Sequence, residues 1–153
     1  MVDLIDNKII LELQKNSRQK YVAIAKKLRM SEAAVRKRVG RLTQNGIIQL
    51  TAITAPGKVG YHSSAMIGLI VQMGKLDAVT SRLREHSNIQ FVGTVAGRYD
   101  ILISVICRSP KHLSKFLKDD LSAIEGINRA ETFVILETSN RAYWCIPDLL
   151  PEE

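Results

Sequence analysis

The apolar positions of this chain change rhythm once, near residue 62. Before that point they recur at three- and four-residue spacing. Ile5, Ile9, Ile10 and Leu13 make one stripe, Ile24, Ala25 and Leu28 a second, and Val35, Val39 and Leu42 a third. Such spacing gathers each set on one face of an α-helix. Polar breaks separate the three: Asn16-Ser17-Arg18 after the first, and the brief turn Arg29-Met30 after the second. Asp3 or a neighbour can cap the first helix. Ser31 is a good N-cap for the third, where Glu32 sits near the positive end of the helix dipole, and Asn45-Gly46 supplies a left-handed stop. Residues 47–54 then have the β-branched content of a strand, which would extend the helical module as a wing. Ala55-Pro56-Gly57-Lys58-Val59-Gly60 is turn punctuation and reads as a hinge.

Beyond His62 alternation takes over. Ile67, Leu69, Val71 and Met73 predict a strand that Gly74 stops; Leu76, Val79 and Leu83 return to helical spacing; Ile89, Phe91, Gly93 and Val95 alternate again. Gly97-Arg98-Tyr99-Asp100 is too short a connection to hold a helix, so the following strand, Ile101 to Cys107, should be antiparallel to its predecessor. Ser109-Pro110 is an N-cap followed by proline at the first helical position, with Leu113, Phe116, Leu117 and Leu121 inward. Gly126 restarts a strand from Ile127 to about Thr138. The order β-α-β-β-α-β predicts a ferredoxin-like sandwich, and Arg141–Ile146 reads as a further edge strand. The fold class is therefore α+β: a winged helix-turn-helix over residues 1–54, a hinge over 55–61 and a ferredoxin-like domain over 62–153.

One face of the sheet is too apolar to remain wet. Met66, Gly68, Ile70, Leu102, Ser104, Ile106, Val134 and Leu136 are read as that face, opposite the helices. An open apolar surface of this kind marks an interface, and pairing two copies of it gives a two-fold dimer.

Charge divides the chain at the same place as the rhythm. Residues 1–60 hold 12 Lys/Arg against 4 acids, and the remaining residues hold 10 against 11, so the whole excess of +7 belongs to the first part. A polyanion is attracted there and not to the rest. On the third helix Ala33, Arg36, Lys37, Gly40 and Arg41 avoid the apolar stripe and Arg38 flanks it. A short turn leading to a helix that is apolar inside and basic outside is the pattern of a helix-turn-helix whose second helix enters the DNA major groove. Small Ala33 allows close approach to the bases, and Arg36 and Lys37 can reach guanine O6 and N7. Lys20, Tyr21, Lys26, Lys27 and Arg41 are better placed for phosphates, which position the protein without reading sequence. With Ser31, Glu32 and Arg38 they complete the DNA-facing set expected from the sequence.

Taken in succession, these residues resemble the Lrp/AsnC, or feast/famine, family of prokaryotic transcription regulators. The resemblance rests on Asp3-x-x-Asp6-x-x-Ile9-Ile10-x-x-Leu13, Ile24-Ala25-x-x-Leu28, Ser31-x-x-x-Val35-x-x-Arg38-Val39-x-x-Leu42 and Gly46-Ile47-Ile48. Further along it rests on Val95-Ala96-Gly97-Arg98-Tyr99-Asp100, Gly126-Ile127 and Glu131-Thr132. It implies a winged helix-turn-helix joined to a ferredoxin-like (RAM-type) sensing domain, with dimers assembling into tetramers or octamers. It also implies an amino acid or related small effector bound between dimers near Gly97, Arg98, Tyr99 and Asp100, with Thr132 as a neighbouring polar contact. Glycine would expose backbone amides to a carboxylate, and Asp100 would either accept from an ammonium group or satisfy backbone donors or Arg98.

Two other functions share this layout. Siroheme decarboxylases resemble the family and would need a basic pocket and a catalytic histidine, nominally His62, His86 or His112; the basic third helix has no use in such an enzyme. A DNA-compacting architectural protein would share the basic module and differ in its specificity ratio. No zinc-ligand spacing, phosphate loop or nucleophile-base arrangement is readable, so neither catalysis nor a cofactor is expected. Cys107 and Cys145 are read as reduced thiols. No stretch approaches the roughly 20 apolar residues of a membrane span, and no cationic signal segment opens the chain, so a cytoplasmic, nucleoid-associated protein without membrane contact is expected.

Overall fold

A computed structural model describes residues 2–138, which divide into two compact units that part between Ile53 and Thr54. The edge strand expected at 141–146 lies outside the described residues.

The first unit holds three helices: α1 (Leu4–Lys15), α2 (Tyr21–Leu28) and α3 (Glu32–Gln44). Ile9, Leu13, Ile24, Ala25, Val35 and Val39 form its core, with Tyr21, Leu28, Met30 and Ile48 packed around them. Asp3 starts α1 through a reciprocal cap: its carboxylate accepts from the Asp6 N–H at 2.8 Å, and the Asp6 carboxylate accepts from the Asp3 N–H at 3.0 Å. Ser31 caps α3 by accepting from the Ala34 N–H at 3.2 Å. At the other end of α3, Gly46 takes φ +67°, while the Ile47 N–H reaches back to the Leu42 carbonyl at 2.9 Å and the Gly46 N–H to Thr43 at 3.0 Å.

The turn between α2 and α3 uses the same closure with a less suited residue. The Met30 N–H donates to the Ala25 carbonyl at 3.0 Å, and Arg29 sits at φ 53°, the only non-glycine with positive φ among the described residues. An L-residue there has its Cβ crowded against the following carbonyl. Arg29→Gly is expected to stabilise the unit by about 0.5–1 kcal/mol, read as a higher urea midpoint at unchanged slope.

Two sequence expectations fail in this unit. Ile5 stays exposed, in the first turn of α1 at the edge of the buried stripe of Asp6, Ile9, Ile10 and Leu13. Residues 47–54 form no strand, although their composition favours one. A strand needs partner N–H and C=O groups, and an all-helical unit offers none. Ile47, Leu50 and Ile53 remain exposed along it.

The second unit is a four-stranded antiparallel sheet in the order β2-β3-β1-β4, with β1 (Ser63–Val71), β2 (Ile89–Thr94), β3 (Ile101–Cys107) and β4 (Ile127–Ile135). A short 3₁₀ turn (Pro56–Val59) precedes β1, α4 (Leu76–Arg84) follows it, and α5 (Pro110–Lys115) follows β3 and continues as a π-helical turn (Phe116–Leu121). Ser109 caps α5 by accepting from the His112 N–H. Ala65, Ile67, Leu69, Ile101, Ile103, Val105 and Cys107 face α4 and α5, and meet Val79, Leu83, Leu113, Phe116 and Leu121 in one core. Burial of the Cys107 thiol raises its pKa, so it stays protonated and behaves as a small apolar side chain.

Register assigns the outer face. Met66 is opposite Ser104 and Phe133, Gly68 opposite Leu102 and Glu131, and Ser64 opposite Ile106 and Ile135. Val134 pairs with Ala65 and so lies on the helix side, Leu136 lies past the end of β4, and Phe133 and Ile135 stand on the outer face in their place. Among the described residues, no helix is long and apolar enough to cross a membrane.

Candidate functional site

α3 presents two kinds of cation. On its solvent side Ala33, Arg36 and Lys37 are exposed, outside the buried stripe of Val35, Val39 and Leu42. Lys37 makes no ion pair with a described residue. Arg36 donates from Nη2 to Glu32 Oε1 at 2.7 Å, one helical turn back, and its guanidinium lies 5.5 Å from the centre of the Tyr21 ring. Lys20 and Lys26 are exposed and unpaired with described residues at the two ends of α2.

Arg38 and Arg41, counted with the DNA-facing set from the sequence, are the second kind: their guanidinium groups are engaged within the fold. Arg38 Nη1 is 2.8 Å from Asp6 Oδ1 and 2.6 Å from Asp3 Oδ2, and Arg41 Nη2 holds the other oxygen of Asp6. The Asp6 side chain is fully buried. Two guanidinium groups of α3 thus converge on one carboxylate of α1, because a carboxylate taken out of water must find its charge partners inside the fold. Burial alone would raise the Asp6 pKa, but the Asp3 backbone N–H, Arg38 and the charge of Arg41 outweigh it and hold the carboxyl below its ordinary value. Asp3 is lowered too, first by its hydrogen bond to Arg38, and Arg38 is raised in return. Lys27 is similarly engaged, paired with Glu12, whose pKa it lowers.

In the second unit the Gly97–Asp100 turn sits at the end of the sheet. The Asp100 carboxylate accepts from the Val71 N–H at 2.8 Å and its own N–H donates to the Leu69 carbonyl at 2.9 Å, so this residue ties the turn to the end of β1. Of the roles open to Asp100 from the sequence, satisfying a backbone donor is the one seen. Arg98 pairs instead with Glu131 at 3.0 Å. Tyr99 lies flat on the outer sheet face: a Cβ at Gly68 would fall 2.6 Å from its Cγ, which explains why β1 carries glycine there. Its hydroxyl donates to Glu131 Oε2 at 2.6 Å, and that bond, then burial, raises the phenol pKa. Gly97 adopts φ +150° and is exposed.

Thr132 does not join this group. It is opposite Ile67, a core-facing residue, and lines a 390 Å³ groove with Ser63, Leu113 and Leu117 on the helix side. Successive residues of a strand point to opposite faces, so Glu131 reaches Tyr99 and its neighbour cannot. Glu131, which the sequence pattern marks only as part of Glu131-Thr132, is the residue that meets Arg98 and Tyr99. Among the described residues no group of three His, Cys, Asp or Glu could hold a metal ion.

A family profile described as the Lrp/AsnC ligand binding domain matches residues 64–144, more than half of the chain. The chain belongs to the Lrp/AsnC family. A winged helix-turn-helix DNA-binding profile matches residues 2–49, the region that contains α1 to α3. Among its relatives, an uncharacterized HTH-type transcriptional regulator of Pyrococcus furiosus is 35% identical over 94% of this chain and 97% of its own. An HTH-type transcriptional regulator of Methanocaldococcus jannaschii is 32% identical over 90% and 94%. Among solved structures, E. coli AsnC superimposes with a TM-score of 0.83 at 27% identity, covering 94% of this chain and 97% of that one. The leucine response regulatory protein of Mycobacterium tuberculosis superimposes at 0.85 and 26% identity, covering 95% and 99%. This Lrp/AsnC protein is a DNA-binding transcription regulator whose second unit is a small-effector domain. Its relatives are named as regulators rather than as enzymes.

Proposed function

We propose that the outward face of α3 reads DNA sequence, that Lys20, Tyr21, Lys26 and Ser31 hold the flanking phosphates, and that an amino acid tunes the complex from the Gly97–Asp100 turn. The observation that carries the DNA reading is the side of α3 on which Ala33, Arg36 and Lys37 lie. They are open to solvent outside the core stripe, on the helix that follows the short Arg29-Met30-Ser31 turn. Lys27, Arg38 and Arg41 contribute to the positive field while their heads remain tied to Glu12, Asp3 and Asp6. Such a protein works in the compartment that holds the DNA.

Two copies supply a second DNA-binding unit. The outer sheet face, with exposed Phe91, Phe133 and Ile135 beside Met66, Leu102 and Ile106, supports a dimer formed through that face. Half-sites would then be inverted repeats spaced by whole helical turns. For the effector, Tyr99, Arg98 and Glu131 give an aromatic surface and both signs of charge beside an exposed glycine turn, which suits a zwitterion. A regulator of the same fold from Neisseria meningitidis, 22% identical, was solved as a complex with L-Met, so amino acids head the panel.

Selection of bound fragments from random duplex DNA, with and without amino acids, tests the reading. A symmetric consensus supports a sequence-specific regulator, whereas uniform recovery of all fragments supports a compacting protein. Isothermal titration against the twenty amino acids tests the sensor directly, and silence across the panel removes it for those ligands. Lys26→Ala is expected to weaken all duplexes alike and to flatten the slope of log affinity against log salt by about 0.9, whereas Arg36→Ala or Lys37→Ala relaxes base preference.

A further inference from the structure

We infer that Glu32 is a specificity-determining residue: it holds Arg36 ready for one guanine and admits beside that guanine only a base that offers an amino hydrogen. The inference rests on the proposal that α3 reads DNA and extends it to what α3 reads. Glu32 is the only acid of α3, and it lies in the first turn, the part of a recognition helix that meets base edges. Arg36 is fixed by two contacts before any DNA arrives, the 2.7 Å bond to Glu32 from one side and the Tyr21 ring 5.5 Å from its guanidinium carbon. Both partners keep open surface, with side chains 67% exposed for Arg36 and 45% for Glu32. The bond to Glu32 uses one N–H of Nη2, which leaves a forked pair of N–H groups for guanine O6 and N7. A long side chain held in this way loses less freedom on binding than a free one.

The carboxylate also acts on the neighbouring base. It accepts hydrogen bonds and donates none, so cytosine N4 or adenine N6 can meet it, while the thymine O4 and guanine O6 and N7 acceptors are repelled. On a surface that faces a polyanion this acid lowers affinity for every duplex, and it raises the ratio between right and wrong ones. Arg38 and Arg41 show the contrast. Their carboxylates come from α1 and hold them to the fold, whereas the Glu32 carboxylate comes from the reading helix itself.

The test compares wild type, Glu32→Gln and Glu32→Ala on a duplex recovered by selection and on its single-base variants, by fluorescence anisotropy, after circular dichroism has shown equal helix content. Wild type is expected to lose tenfold or more when the guanine facing Arg36, or the amino-bearing base beside it, is replaced. Both variants are expected to bind random duplex more tightly and to keep no more than about threefold discrimination at those two positions. Variants that retain the wild-type ratio overturn the inference, because a carboxylate serving only the helix dipole would change affinity for all duplexes together. A wild-type protein that ignores every duplex at low salt overturns the DNA reading as well; one that discriminates while Glu32→Gln discriminates equally overturns this inference alone.

Discussion

Asp6→Ala is expected to destabilise the DNA-binding unit by about 2–3 kcal/mol, measured by urea or thermal unfolding. The Asp6 carboxylate accepts from the Asp3 N–H, from Arg38 and from Arg41, and its side chain has no contact with solvent. Removing it leaves two cations without their shared partner and removes half of the reciprocal cap that starts α1. Arg38 and Arg41 are partly exposed and can turn to water, which keeps the loss below that of a wholly buried ion pair. The same cluster sets an acid limit. Asp3 and Asp6 have folded pKa values below their unfolded ones, so their contribution is fully present above about pH 4 and is lost as pH falls through the folded values. Unfolding followed between pH 6 and pH 2 should show stability declining at the acid end in wild type and a shallower decline in Asp6→Ala. An equal slope in both would remove Asp6 as the source.

The second large effect is on assembly. Phe133→Lys is expected to convert a dimer into a monomer at micromolar concentration and to weaken binding to a two-half-site duplex by about a hundredfold or more. Phe133 is 47% exposed, stands opposite Met66 in the register and meets the Tyr99 ring edge-on at 6.4 Å between centroids. A lysine there places a charge in the middle of the apolar face that two copies would bury. Loss of the dimer makes the second half-site contact an independent event and forfeits the effective concentration that links the two. Sedimentation read beside affinity for a single half-site checks both parts: the oligomer should change and the half-site affinity should not. A variant that remains dimeric would move the interface elsewhere.

Much of this arrangement was legible in the chain because it is local. The three helical stripes, the caps at Asp3, Ser31 and Ser109, the Gly46 stop and the order of the sheet elements all follow from contacts within a few residues. What the sequence concealed depends on partners far along the chain. Arg38 lies at the margin of the α3 stripe, and the local pattern cannot say which side it serves; its partner Asp6 is 32 residues away. The face of β4 is not legible in the sequence because Thr132-Phe133-Val134-Ile135-Leu136 is almost continuously apolar and carries no alternation. A shift of one residue exchanges its faces, so only the pairing with β1 separates Glu131 and Phe133 from Thr132 and Val134. Residues 47–54 have the composition of a strand and, in a unit of helices, no ladder to enter.

The measurement that bears most directly on the central claim is selection from random duplex DNA at low ionic strength, followed by affinity of the recovered duplex as salt is raised. Cations presented by α3 from two paired copies predict a two-fold symmetric consensus with half-sites about 10 base pairs apart or a multiple of that, and an affinity that falls steeply with salt. Recovery of no fragment, or of a featureless pool whose affinity is indifferent to sequence, would contradict it.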